Sequence, residues 1–200
     1  MVLKLYNNDT ILAPLKCGTR YLEECFGEPS SELSLDVIKL RLHIKTINTI
    51  IVRNPYEHLE SAIHTELLGT FQKYGNSDIE ILNNLNLFTT NAKIDGTTHW
   101  SPKLYETLYW YWRRNRRYIK IVDLKELSKF LKGYKKKLPK YDPLNYDFNY
   151  YDYWCSKEDI MIFVKYNYPF VWTNLVEQIH KSMEWYQLML DEIVIEPKII

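Results

Sequence analysis

Two short apolar segments, each leading directly into a helix-start signal, constrain the fold of this chain more than any other feature. The first, residues 10–15, passes through Lys16-Cys17-Gly18 into an amphipathic stretch over 19–26. The second, residues 47–52, is followed by Asn54, a helix-capping residue, and Pro55, which suits the first helical position. A strand followed at once by a helix is the unit of sheets with parallel strands. We therefore predict an open, mainly parallel α/β sheet with both turns at one edge.

The rest of the chain continues the alternation of strands and helices. A third strand is predicted over 118–122, and the stretches 28–36, 70–98 and 135–153 are predicted as loops, the second with one helix near 78–85. Capping boxes predict helix starts at Asn54 with Glu57, Asp123 with Glu126, and Ser156 with Asp159. The predicted helices cover 19–26, 35–42, 55–68, 78–85, 101–112, 124–131, 156–164 and 172–190, with glycines 27, 69 and 133 as stops.

Composition narrows the class of protein. A chain of 200 residues with 46% hydrophobic and 26% charged residues is suited to a single domain, here residues 1–200. Its 26 basic and 25 acidic residues give a net charge of +1, which argues against a chain-wide nucleic-acid surface. The three cysteines and five histidines show no metal-ligand spacing. With no secretory signal and no apolar run of about 18 residues, we expect a cytoplasmic protein without metal or membrane partner.

The first turn has the chemistry of an anion site. The first N–H groups of a helix lack internal acceptors and carry the positive end of its dipole. Here Gly18 and Thr19 supply such groups, and Lys16 and Arg20 add two cations. The pattern differs from the triphosphate-binding loop G-x-x-x-x-G-K-[ST], because the lysine precedes the glycine. We predict a phosphate or sulfate site at this turn.

Both turns match motifs of one enzyme family. Lys16-Cys-Gly-Thr-Arg20 resembles the 5′-phosphosulfate loop of sulfotransferases, and the segment from Arg53 to Ser61 resembles their 3′-phosphate motif, with the same separation of eight residues. His99-Trp-Ser-Pro102 resembles the H-W-x-P element of carbohydrate sulfotransferases, and residues 118–124 resemble a later strand of the family. The resemblance spans about residues 10–131 and implies a three-layer, P-loop nucleotide-kinase-like fold with a central, mainly parallel sheet flanked by helices.

The resemblance also implies an activity and a cofactor. The family transfers the sulfuryl group of 3′-phosphoadenylyl sulfate (PAPS) to a hydroxyl or amine, and here we expect a carbohydrate or other small acceptor and no nucleic acid. Lys16 would neutralise the leaving phosphate as a catalytic residue. Arg53 and Ser61 would hold the 3′-phosphate. The expected donor-binding residues are Lys16, Cys17, Gly18, Thr19, Arg20, Arg53 and Ser61.

The residue that deprotonates the acceptor stays open, and so do two other functions. Glu32, His64 and His99 are the candidates for the base. His58 stands where many family members have a second arginine, and Asn54 replaces the usual aspartate. The alternatives to a sulfotransferase are a P-loop nucleotide-binding kinase and a catalytically silent interaction protein that keeps the fold. The basic runs 113–117 and 135–137 are either solvated surface or receivers of an acidic substrate.

Overall fold

A single open sheet organises the chain. The computed structural model describes residues 2–34, 46–75, 77–89, 99–134, 138–140 and 156–191. Within these ranges five strands are ordered β3-β1-β2-β4-β5. They are β1 (Val2–Tyr6), β2 (Ile11–Pro14), β3 (Ser31–Ser34), β4 (Thr49–Val52) and β5 (Lys120–Asp123). The pairs β2–β4 and β4–β5 are parallel, whereas β1 is antiparallel to β2 and to β3. The sheet is therefore mixed, and the prediction of a mainly parallel sheet is wrong for β1 and β3.

The strands that were predicted from the sequence are those whose own residues form an apolar run. All four residues of β2 and of β4 are buried, as expected for central strands covered on both faces. The segment 28–36, predicted as a loop, instead contains β3. Its residues alternate between half-buried and exposed, and Leu33 is the one apolar residue of the strand. β3 is thus defined by its pairing with β1 and not by local hydrophobicity.

Seven α-helices lie in the described ranges, and most match the predicted segments. The helix from Pro55 passes through Gly69 and ends at Tyr74, so the predicted stop at Gly69 is wrong. Glycine only weakens a helix, and the buried residues Leu67, Leu68 and Thr70 hold this turn against the core. The predicted helix over 35–42 lies outside the described residues. The helices are α1 (Thr19–Phe26), α2 (Pro55–Tyr74), α3 (Asp78–Thr89), α4 (Leu104–Asn115), α5 (Leu127–Leu131), α6 (Lys157–Asn167) and α7 (Pro169–Asp191).

The predicted helix caps differ in how completely they form. Ser156 and Asp159 form both halves of a capping box at the start of α6. Asn54 accepts hydrogen bonds from the backbone of the first turn of α2. Asp123 likewise accepts from the N–H of Lys125, before a 3₁₀ turn over Leu124–Glu126. The carboxylates that were predicted to complete these two capping boxes interact with other residues instead. That of Glu126 lies 3.3 Å from the ammonium of Lys129.

Successive residues along the strands enter two separate cores. In β2, Ile11 and Ala13 pack in a cluster with residues of α1 and α5, whereas Leu12 packs in a second cluster with residues of α2, α3, α4, α6 and α7. This alternation gives the sheet a helical layer on each face, so the expected three layers are present. No helix within the described ranges is both long and apolar enough to cross a membrane.

Candidate functional site

The carboxyl ends of three parallel strands meet at one edge of the sheet. Ile11 of β2 is paired with Thr49 of β4, and Val52 of β4 is paired with Asp123 of β5. The turns that follow these strands therefore start side by side. Crevices at such edges are where open α/β sheets bind ligands. The predicted adjacency of the turns after β2 and β4 is correct.

A hydrogen bond joins these two turns directly. The guanidinium Nη1 of Arg53 donates to the carbonyl oxygen of Lys16 at 3.0 Å. Arg53 is only 7% exposed, and within the described residues its Nε–H has no hydrogen-bond acceptor, although Glu57 Oε2 lies 3.8 Å away. A buried guanidinium with an unsatisfied N–H is costly unless an anionic ligand completes its bonds. The geometry at Arg53 therefore fits an anion site.

The turn after β2 has a backbone shape that depends on glycine. Lys16 has φ of 65° and Gly18 has φ of 77°, both in the left-handed region, and Gly18 directly precedes α1. A Cβ atom on Gly18 would lie 2.7 Å from Leu124 Cδ1 and 2.9 Å from Leu127 Cδ2. The turn is therefore packed against the segment that follows β5. The first N–H groups of α1 lie at this sheet edge, and such groups have no acceptor within their own helix.

Several cations converge on Lys16. Burial lowers the pKa of Lys16 to about 8, and the nearby charges of Arg20, Arg53 and Lys157 act in the same direction. The carboxylate of Glu66 opposes this effect. A cluster of like charges is stabilised by a bound polyanion. Lys157, in the first turn of α6, was missed by the sequence prediction, since its only local signal is the capping box beside it.

Cys17 and His58 lie beneath the site in the core. Cys17 is 1% exposed, and burial raises the pKa of its thiol to about 12, so it is not a nucleophile. Only the backbone of Cys17 can contact a ligand. His58 is fully buried, and burial, together with the charge of Arg53, lowers its pKa to about 3. A neutral, buried His58 cannot replace a phosphate-binding arginine.

His58 instead links three parts of the site. Its Nε2 lies 3.0 Å from the carbonyl oxygen of His99, which can only accept, so Nε2–H is the donor. Its Nδ1 lies 2.9 Å from the Tyr105 hydroxyl. The single proton of that hydroxyl is donated to the carbonyl oxygen of Arg53 at 2.7 Å, so the hydroxyl contacts Nδ1 without donating to it. These buried bonds connect the second turn to α4 and to the segment of His99.

The candidate bases occupy different positions. Glu32 is exposed on the edge strand β3, opposite Lys4 and 3.8 Å from its ammonium, with β1 between it and β2. His64 is half-buried on α2. His99 forms a hydrogen bond through Nδ1 with the carboxylate of Glu66, and both side chains are partly exposed. Glu66 was missed because nothing in its sequence position distinguishes it from the other acidic residues of α2.

The remaining predicted residues within the described ranges lie on or next to α1, α2 and α4. Thr19 and Arg20 lie in the first turn of α1, both half-buried. Ser61 is half-buried on α2. The arginine run 113–117 closes α4 and precedes the amino end of β5, at the opposite edge of the sheet. The basic run 135–137 lies outside the described residues.

Comparison of the chain with protein-family models, with curated proteins and with solved structures finds no match. The function is therefore inferred from the motifs and from the contacts that the fold creates between them.

Proposed function

We propose that this protein is a sulfotransferase that moves the sulfuryl group of PAPS to a hydroxyl or amine of a carbohydrate or other small acceptor. The hydrogen bond from Arg53 to the Lys16 carbonyl carries the proposal. It brings the two turns that resemble the phosphosulfate and 3′-phosphate motifs together at one edge of the sheet. The donor nucleotide carries one anionic group for each turn.

The turn after β2 would hold the 5′-phosphosulfate. The N–H groups of Gly18 and Thr19 would bind the phosphate, as helix starts commonly do. Arg20 and the backbone of Cys17 line the same turn. Lys16, close to Arg20 and Lys157, would neutralise the charge that develops on the leaving phosphate oxygen. Stabilising this charge is the main catalytic task in a loose transfer of this kind.

The second turn would hold the 3′-phosphate. The Nε–H of Arg53 has no acceptor among the described residues, and the side chain has little exposure to water, so its attraction to a phosphate is weakly screened. Ser61, on α2, would add a hydroxyl donor. A requirement for the 3′-phosphate would separate this protein from a P-loop kinase, whose donor has none.

Calorimetric titration with adenosine 3′,5′-bisphosphate, followed by a transfer assay with radiolabelled PAPS, tests the proposal. We expect the bisphosphate to bind more tightly than ATP and the label to move to an acceptor. Tighter binding of ATP would support the kinase alternative. Binding of the bisphosphate without transfer to varied acceptors would support the silent interaction protein, and absence of binding would reject the sulfotransferase proposal.

A further inference from the structure

His99 and Glu66 form a hydrogen-bonded pair near Lys16, which lies in the turn after β2. The Nδ1 atom of His99 contacts the Glu66 carboxylate, and the two side chains are 24% and 31% exposed. Because a carboxylate only accepts, Nδ1 carries the proton in the neutral ring and Nε2 keeps its lone pair. Glu66 is also close enough to Lys16 to influence its charge. The pair is thus accessible to solvent and near the proposed leaving group.

His58 holds the backbone of His99, in addition to the contact of Glu66 with its imidazole. The buried Nε2–H of His58 donates to the His99 carbonyl at 3.0 Å, and the following residue, Trp100, is 1% exposed and packs edge-on against His58. The segment is therefore anchored through its backbone and its neighbour, independently of the imidazole of His99. A ring that is anchored in this way and oriented by a carboxylate is arranged for proton transfer.

The rival candidates lie elsewhere in the fold. Glu32 lies on the edge strand and pairs with Lys4. His64 lies two residues before Glu66 on α2, and residues with this spacing point to different faces of a helix. His58 is fully buried. Among the described candidates, His99 combines solvent access with an orienting carboxylate.

We infer that His99 is the general base of the transfer and that Glu66 is its positioning residue, an inference that rests on the proposed function. The acceptor oxygen forms a bond to sulfur as the bond from sulfur to the 5′-phosphate oxygen breaks, and that bonding pair leaves on the phosphate. The acceptor proton moves to Nε2 of His99. Glu66 keeps its charge, holds the Nδ1–H and stabilises the imidazolium that forms.

The test compares His99→Gln, Glu66→Ala and Glu66→Gln in the full chain, with His180→Gln on the exposed surface of α7 as the control. PAPS turnover is measured with water as the acceptor and with p-nitrophenol, chitotriose and chondroitin oligosaccharides. General bases contribute roughly 100-fold or more, so we expect a loss of that order in His99→Gln. We expect an intermediate loss in Glu66→Ala, partial rescue in Glu66→Gln, an unchanged KM for PAPS in His99→Gln and no effect in the control.

Titration of each variant with adenosine 3′,5′-bisphosphate separates the possible failures. Retained affinity shows that a variant is folded and binds the donor. If the wild type does not bind the bisphosphate, the proposed function itself fails. A wild type that binds and turns over PAPS sets the reference rate. If His99→Gln turns over PAPS equally fast, or if His64→Gln or Glu32→Gln loses more of the turnover rate than His99→Gln does, only the assignment of the base is overturned. A wild type that binds but never turns over PAPS also overturns it.

Discussion

The guanidinium of Arg53 donates a hydrogen bond to the main-chain carbonyl of Lys16, 37 residues earlier in the chain, at 3.0 Å. Because the acceptor is a backbone atom, the bond fixes the turn after β2 whatever side chain stands at position 16. Under the proposed function, Arg53 would therefore have two tasks: it would shape the turn after β2 and present its charge to an anion at the turn after β4. The side chain of Lys16 would only present its charge.

Substitution of these two residues should have different effects. We expect Lys16→Ala to lower turnover more than bisphosphate affinity, because the charge that it removes acts most strongly on the leaving phosphate in the transition state. Arg53→Ala should weaken binding of the bisphosphate by about tenfold or more, since hydrogen bonds to charged groups contribute roughly 1.5–3 kcal/mol. Calorimetry and steady-state kinetics on the same preparations measure both effects.

Arg53→Lys is the matched control for charge, since lysine keeps the cation but lacks the planar fork. We expect it to recover only part of the affinity. Equal tolerance of Lys16→Ala and Arg53→Ala in both assays would contradict the assigned roles.

Donor binding should depend on the protonation of Lys16. Burial, Arg20 and Arg53 lower its pKa to about 8, so the charged form in the free protein is lost as pH rises through about 8, well below the ordinary value of 10.5. Affinity for the bisphosphate should therefore fall from about pH 7 to about pH 9.5. Lys16→Arg, which stays charged, should remove most of this decline. The same steep decline in Lys16→Arg would show that another group is responsible.

Two glycine-to-alanine substitutions should have opposite effects on stability. Gly18→Ala combines a left-handed backbone with a Cβ less than 3 Å from Leu124 and Leu127, so we expect a loss of about 1–3 kcal/mol and weaker bisphosphate binding. Gly69 lies inside α2, and apart from its neighbouring residues and the adjacent helix backbone no atom of the described residues lies within 4 Å of an added Cβ. Gly69→Ala should stabilise by roughly 0.5–1 kcal/mol. Urea unfolding measures both, and a neutral Gly18→Ala would contradict the described turn.

His58 should make the protein sensitive to acid. Burial and Arg53 lower its folded-state pKa from 6.5 to about 3, so the unfolded chain binds the proton more readily. The contribution of His58 to the free energy of unfolding is full above about pH 6.5 and falls by up to about 1.4 kcal/mol per pH unit as pH drops toward 3. His58→Gln should be less stable near neutral pH but lose less stability on acidification. Unfolding curves at several pH values, with His180→Gln as control, test this, and an unchanged slope in His58→Gln would refute it.

The features predicted from sequence are those whose causes lie within a few residues. The cap at Ser156 and Asp159 forms within one helical turn, and Gly27 ends α1 because its φ of 85° is unfavourable for other residues. β2 and β4 are buried on both faces, and Thr49 is their one polar residue, so their residues alone indicate strands. The same local signals located the two turns of the candidate site.

The features that were missed depend on distant partners. β3 forms because its backbone pairs with that of β1, and neither strand has a continuous apolar pattern. Glu57 was predicted to close a capping box, but its carboxylate lies near Arg53 and 3.4 Å from Lys125, which the fold brings to α2 from beyond β5. The pairing of Glu66 with His99 and the approach of Lys157 to Lys16 likewise require the tertiary structure.

The most direct test of a site with two anion-binding turns compares adenosine 3′,5′-bisphosphate with adenosine 5′-monophosphate, which lacks the 3′-phosphate, by calorimetry on wild type and Arg53→Ala. We predict that the wild type binds the bisphosphate at least about tenfold more tightly and that Arg53→Ala removes most of this preference. Equal affinities for the two nucleotides in the wild type, or a preference that survives in Arg53→Ala, would contradict the account.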